Sequence, residues 1–316
     1  MIVRRVIAGA LRFEYRSRWF AVWRTVLALA TASELLFTRP LAFFTTVGTV
    51  TGPVCTVYPR ISLFCLGNSQ DFVDARRWLA IAGLLLVASG YRPRYLALLH
   101  LWIVFSVTTS TTLPDGGDSI ALIVVALITP MCLADGRRWQ WAPLIRRMHH
   151  SWRTIAYLSF WALRLQIAYL YADSAIAKMG VADWQNGSGF YYFVRDKMFG
   201  ASGPLEPLWI WLSDQSLTTL TITWGAVAIE LAIAVFTLLQ ARWRLAAFWL
   251  GLVLHLLIFL SMGLFSFSLV MVSVAGLIAT PNVPVFNGKR KRLLRERPEE
   301  HNELAQQNDR SDGKGT

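Results

Sequence analysis

The stretch from Arg164 to Phe193 reads RLQIAYLYADSAIAKMGVADWQNGSGFYYF. Its first half has the apolar character of a membrane helix, yet it carries Arg164, Gln166, Tyr169, Asp173 and Lys178. An ionisable group inside a spanning segment is costly and is a functional-site candidate by default. Lys178 stands five residues after Asp173, an imperfect helical spacing that a long lysine can still bridge. A lysine at a dry helix end can act as a base or nucleophile through its neutral form, which burial favours. The competing reading is an ion pair at the helix end whose members reach for water. The helix is expected to end at Gly180, with Asp183 and Trp184 marking the aqueous boundary. A turn with Gly187 and Gly189 then leads into the aromatic run Phe190 to Phe193.

Other chemistry-bearing residues are scattered. Glu230 lies midway along a later apolar run and His255 inside the next, so each needs a partner within a helix bundle. A histidine in that setting is most often a hydrogen-bonding residue between helices. Lys178, Asp173, Glu230 and His255 are therefore the catalytic candidates. Asp183, Trp184, Asp115 and Asp118 are the candidates for contacting a substrate. Asp115 and Asp118 flank a Gly-Gly turn suited to a cation or a basic peptide, although Asp118 is equally well explained as a helix cap. Cys55 and Cys65 share one loop expected on an oxidising side of the membrane, so a bridge closing a short loop is expected, in preference to two independent thiols. His149 and His150 fall in a solvated basic loop. No zinc-protease, redox-dithiol, nucleophile-elbow, phosphate-loop or dinucleotide motif is present, and no metal site is expected.

These residues must be positioned by helices. Of the 316 residues 55% are hydrophobic and 16% charged, against roughly 25% charged in soluble domains. The mean hydropathy is +0.44. The apolar residues fall in long runs, so the expected fold is all-α, a polytopic membrane protein of about eight transmembrane helices. Spans are expected at about 19–37, 78–90, 95–113, 119–133, 154–177, 217–239, 245–262 and 264–280, with the ARWR stretch, Ala241 to Arg244, as the turn between the sixth and the seventh. A basic amphipathic segment, 1–18, expected as a short helix on the cytoplasmic membrane face, precedes this 19–280 domain, and a polar, disordered tail, 281–316, follows it. The first eighteen residues hold five arginines and no apolar run, so no cleaved signal peptide is expected there. Between Lys178 and Ser216 one or two short helices should lie at the interface, with Trp184, Trp209 and Trp211 at headgroup level.

The net charge of +12 does not point to nucleic acid, because the basic residues alternate with the apolar runs as orientation signals do. With eight spans and a cytoplasmic N-terminus, twenty Lys/Arg fall in cytoplasmic segments. Seven (Arg39, Arg60, Arg76, Arg77, Lys178, Arg195 and Lys197) fall outside. Both termini are thus expected in the cytoplasm, with the cysteine loop and the 178–216 region on the other side.

The segment AIAKMGVADWQNG, Ala175 to Gly187, resembles the signature of the HTTM superfamily, membrane proteins related to vitamin K-dependent gamma-carboxylase. Gly116 to Asp118, Glu230 and His255 fit further positions of that pattern. The resemblance implies that Lys178 matches the base that deprotonates a reduced quinone in the carboxylases, with His255 matching an assisting histidine. ISLFCLGN (Ile61 to Asn68), ARRWLAIAGLLLVASGYRPR and LPDGGDSIALIVVALITPMCLADGRRWQW resemble more closely the sporulation-delaying protein B (SdpB) family. That resemblance implies a bacterial plasma-membrane protein needed, with a small SdpA-like membrane partner, to turn a secreted precursor into a mature antimicrobial peptide. A quinone-linked carboxylase or oxidase using Lys178 as base, and a non-catalytic chaperone or scaffold for the precursor, are the alternatives. Under the second of these three readings a quinone is the cofactor.

Overall fold

The computed structural model describes residues 8–38, 43–44, 52–55, 61–66, 72–112, 116–144, 147–197 and 199–283. Asp115 and nearly all of the C-terminal tail lie outside the described residues. Within them the chain is helical and has no strand; its sole β feature is an isolated bridge between Tyr91 and Trp139.

After a short helical stretch at 8–12, eleven α-helices follow one another among the described residues: α1 Arg18–Phe37, α2 Val73–Ser89, α3 Pro93–Ser110, α4 Gly116–Leu133, α5 His150–Met179, α6 Ala182–Gln185, α7 Gly189–Val194, α8 Glu206–Asp214, α9 Ser216–Leu238, α10 Ala241–Met262 and α11 Phe265–Ile278. Local chemistry sets many of the ends. Ser17 caps α1 by accepting from the backbone of Phe20. Gly90 and Gly263 close α2 and α10 in the left-handed conformation, at φ of 79° and 73°. Pro93 opens α3, where its missing N–H leaves no bond unmade.

Among the described residues four helices, α1, α4, α9 and α10, are long and apolar enough to cross a membrane, as in a membrane protein. α11 is apolar but has 14 residues. α5 has 30 residues and carries Arg164, Asp173 and Lys178 among its apolar residues. α5 packs along α9 and α4, while α1 packs along α11 and α2. α3 pairs with α4, and α10 lies against α9 and α11. The main core runs through α1, α4, α5 and α11, with Leu27, Met131, Leu163 and Leu277 sealed in it. A second apolar cluster, including Leu35, Phe64, Leu84 and Ile103, sits under the cysteine loop. There Cys55 and Cys65 form a disulfide, with Cα atoms 5.6 Å apart, and Cys132 is free and buried. The ISLFC segment is stitched to α3: Ser106 Oγ accepts from Leu63 N at 2.9 Å, and Trp102 Nε1 donates to the Ile61 carbonyl at 2.8 Å.

Three expectations need correction. The N-terminal segment is not one surface helix. Residues 8–12 are helical, but 13–16 run non-helical with Phe13 and Tyr15 buried. Glu14 and Arg16 form a buried ion pair there, and Tyr15 donates to the Met131 carbonyl. Burial pushes the Tyr15 phenol well above its ordinary range, so it serves as a neutral donor. Second, the ARWR stretch is not a turn: the chain reverses at Leu239 and Gln240, and Ala241 to Arg244 already form the first turn of α10. Third, the 178–216 region holds three short α-helices, α6, α7 and α8, rather than one or two.

The two ends of the helical domain meet. Glu14 N donates to Asn282 Oδ1 at 2.8 Å, and Val283 N donates to the Glu14 carbonyl at 2.9 Å. The segments preceding α1 and following α11 therefore lie at the same end of the bundle.

Candidate functional site

α5 presents Tyr171, Ser174 and Lys178 along one stripe, since spacings of three and four residues stack side chains on one helix face. α9 runs antiparallel beside it, because Lys178 meets Glu230 while Arg164, earlier on α5, meets Thr237 and Leu239 further along α9. Lys178 Nζ lies 2.8 Å and 2.9 Å from the two carboxylate oxygens of Glu230. It also donates to Ser174 Oγ at 2.8 Å, and Ser174 Oγ in turn donates to Glu230 Oε1 at 3.1 Å. The Lys178 and Glu230 side chains are 22% and 10% exposed. Helical side chains lean toward the helix N-terminus, and this lysine follows that direction back into the bundle instead of outward to water. Three polar side chains thus form a closed hydrogen-bonded triangle along which a proton can be exchanged.

One turn before Ser174 on the same stripe, the Tyr171 hydroxyl and His255 Nε2 are 2.9 Å apart, and both residues are buried. The ring of Phe267 meets His255 edge-on at 5.6 Å. His255 Nδ1 has no hydrogen-bond partner among the described residues. His255 is thus a helix–helix tie with one ring nitrogen uncommitted.

A loop covers the lysine. The Trp184 ring lies 5.4 Å from Lys178 Nζ, within range of a cation–π contact. Gly187 has φ of +83°, and a Cβ there would also collide with Leu220 of α9. A Cβ on Gly189 would stand 2.9 Å from the Trp184 indole. Phe190 N donates to Thr223 Oγ1 at 3.0 Å, fastening the start of α7 to α9. The glycines of DWQNGSG are there because the backbone passes close to α9 and to the indole.

The expected pairing of Lys178 with Asp173 is not formed. Five residues back is a different face of α5, and Asp173 lies exposed with no partner among the described residues. Asp118 is buried in the first turn of α4, its carbonyl accepting from Thr108 Oγ1 at 3.2 Å. The helix begins three residues earlier than expected, so Asp118 is not its cap; its charge suits the positive helix end. Asp183 is half-buried in α6, and its carbonyl accepts from Ser188 Oγ at 3.4 Å.

Arg164 has a structural task. Its Nε donates to the Thr237 carbonyl at 2.8 Å and its Nη2 to the Leu239 carbonyl at 2.9 Å, satisfying the C-terminus of α9. The guanidinium also stacks on Trp161, 3.8 Å from the ring centre. Arg244 repeats the device on α11, donating to the carbonyls of Ile278 and Thr280 at 2.9 Å and 3.3 Å. Arg24 of α1 is sealed within the bundle and donates to Gln140 Oε1 at 2.9 Å.

Over 277 residues the chain is 31% identical to the uncharacterized protein YitO of Bacillus subtilis (strain 168), covering 85% of this chain and 88% of YitO. The chain belongs to the same family as YitO. It is also 29% identical over 262 residues to the sporulation-delaying protein SdpB of the same strain, across 80% of this chain and 78% of SdpB. That similarity supports an SdpB-like family that includes the YitO relative. No family model matches the chain, and no solved structure does.

Sequence reasoning missed Ser174 and Tyr171. The signal was available: both fall at helical intervals before Lys178, on the face that a bundle neighbour would meet. Thr223 carried no comparable signal, because its role depends on where the loop after α5 lands.

Proposed function

We propose that this YitO-family chain is the membrane component of a system that matures or exports a secreted antimicrobial peptide, and that Lys178 and Glu230 form its working site. The carrying observation is the inward turn of Lys178 onto both carboxylate oxygens of Glu230, under the Trp184 loop. A buried ion pair is weak evidence for stability, since apolar replacements often do as well. Its presence at the end of a helix that could have sent the lysine to water therefore favours a chemical task. Similarity to SdpB across 80% of the chain supports the peptide-toxin setting.

The proposal includes an HTTM-like domain over 19–280 in which α1, α2, α3, α4, α5, α9, α10 and α11 make eight spans. The meeting of Glu14 with Asn282 supports an even number. The basic asymmetry supports both termini in the cytoplasm of a bacterium and the Lys178 loop outside the plasma membrane, where a precursor would arrive. A small SdpA-like membrane protein and the secreted precursor are the proposed partners. Asp183 and Trp184, at the mouth, are the proposed precursor contacts, and His255 a proton-handling group beneath the pair.

The test is the mass of the secreted peptide from cells with and without this protein, and with Lys178→Ala or Lys178→Arg. Arginine keeps the charge but does not release its proton. The proposal expects both variants to abolish maturation at normal membrane abundance. Rescue by arginine would reduce Lys178 to an ion-pair role, and full activity in both would remove it from the mechanism. A second reading, a quinone-linked carboxylase or oxidase with Lys178 as base, is favoured by the buried Tyr171–His255 contact on the same stripe. A quinone extracted with the purified protein would support that reading.

A further inference from the structure

At the bundle end where α2 gives way to α3 and α4 leaves toward α5, a cleft of about 240 Å³ is lined by Arg92, Arg94, Tyr95, Asp135, Arg137 and Arg138. Four arginines face one carboxylate. Asp135, which is buried, engages Nε and Nη2 of Arg137 at 2.9 Å and 2.7 Å, so one charge is neutralised inside the protein. Arg92, Arg94 and Arg138 have no carboxylate partner among the described residues.

The cleft is built rather than incidental. Arg92 N donates to the Arg138 carbonyl at 2.8 Å and Gln140 N to the Gly90 carbonyl at 2.9 Å, pinning the loop after α4 across the turn before α3. Arg94 Nε donates to the Leu133 carbonyl at 2.8 Å, which fixes its direction while leaving donors free. Arg137 Nη1 donates to the Ala142 carbonyl at 2.7 Å. Arg92 has φ of +36°, a conformation that a residue before proline holds only when its surroundings impose it. Tyr95 lines the cleft, the Trp152 ring lies 6.0 Å from the Arg94 guanidinium carbon and Trp139 follows Arg138 in the chain; the three are 62%, 37% and 43% exposed. Aromatic side chains so placed at helix ends mark the depth of lipid headgroups.

We propose that this cleft binds the phosphate group of an anionic phospholipid. Fixed guanidinium groups suit phosphate oxygens through paired, charge-assisted hydrogen bonds. Basic pockets between membrane helices at headgroup depth hold such lipids. Nothing in this assignment depends on the chemistry of Lys178, which lies at the other end of α5.

The test uses the purified full chain in a neutral detergent, titrated separately with short-chain phosphatidylglycerol, short-chain phosphatidylcholine and inorganic phosphate. Binding is read as the rise in melting temperature and as retained lipid in native mass spectra. Phosphatidylglycerol should bind and phosphatidylcholine should not. Arg92→Gln with Arg138→Gln should weaken phosphatidylglycerol binding by about tenfold or more, the scale of lost charge-assisted contacts. Arg147→Gln with Arg242→Gln removes the same charge outside the cleft and should leave binding unchanged. If the first pair does not fold, Arg138→Gln alone is the variant to measure, because its side chain caps no helix, and it should weaken binding in the same sense. Equal losses from the two pairs would overturn the proposal in favour of diffuse surface charge. Inorganic phosphate binding as tightly as phosphatidylglycerol would overturn the lipid assignment in favour of a soluble phosphate.

Discussion

Lys178 and Glu230 hold one another, so removing one leaves the other stranded. Breaking such a pair from one side costs about 3–5 kcal/mol when it is well buried, less where water still reaches it. Removing both is far milder. Lys178→Met combined with Glu230→Met should keep the protein near its normal melting temperature while abolishing peptide maturation; a double variant that still matures peptide would make the pair structural. Arg164 should behave in the opposite way. Arg164→Met loses two charge-assisted bonds to carbonyls, a loss of about 2–4 kcal/mol. It should lower thermal stability, yet leave activity per folded molecule intact. At this scale the sequence was half legible. Lys178, Glu230 and His255 announced themselves as polar groups in apolar runs. The partner of Lys178 did not, because nearness in sequence favoured Asp173, whereas helical geometry turns the fifth residue back onto another face. Arg164 was conspicuous for the same reason as Lys178, but its type could not separate a helix-capping task from a chemical one.

Among the elements, the loop from Val181 to Phe190 and the cysteine loop do comparable work at different places. Each is a non-spanning segment fastened to the end of a helix pair. Gly187→Ala forces a left-handed backbone and a clash with Leu220, and strain of this kind costs about 1–3 kcal/mol. It should displace Trp184 from Lys178, detectable as a change in tryptophan fluorescence, with activity falling further than stability. The bridge between Cys55 and Cys65 should act mainly on stability, contributing about 3 kcal/mol by restricting the unfolded chain. Cys55→Ser should therefore lower membrane abundance more than activity per molecule, and non-reducing peptide mapping should find Cys55 joined to Cys65 with Cys132 free. Both loops were legible as loops, and the bridge was expected from two cysteines in one segment read as lying outside the cytoplasm. What the sequence could not give was the docking of ISLFC on α3 or of Phe190 on Thr223, because those contacts join residues far apart in the chain. The ARWR stretch misled for a related reason: arginines beside an apolar run mark a membrane face, but a helix can begin there as readily as a turn.

For the whole molecule, the apolar runs gave the helices and their order, and the contact of Glu14 with Asn282 closes the bundle on itself. A reporter fused after residue 200 should be active only outside the cytoplasm under the eight-span arrangement, and cytoplasmic activity at that point would sink it. The paired arginine clamps also impose an order in time. In the proposed eight-span arrangement Arg164 is synthesised with α5, but the carbonyls it serves belong to α9 and do not yet exist when α5 enters the bilayer. Until then, on that arrangement, a guanidinium is left in a spanning helix without its acceptors, which the membrane tolerates poorly. A growing chain stopped after Asp214 is therefore an orphan, and quality-control proteases should clear it quickly. Arg164→Leu should lengthen the life of that fragment while shortening the life of the complete protein. The same residue would then be a liability during synthesis and a support afterwards, which pulse-chase labelling of the four chains would reveal directly.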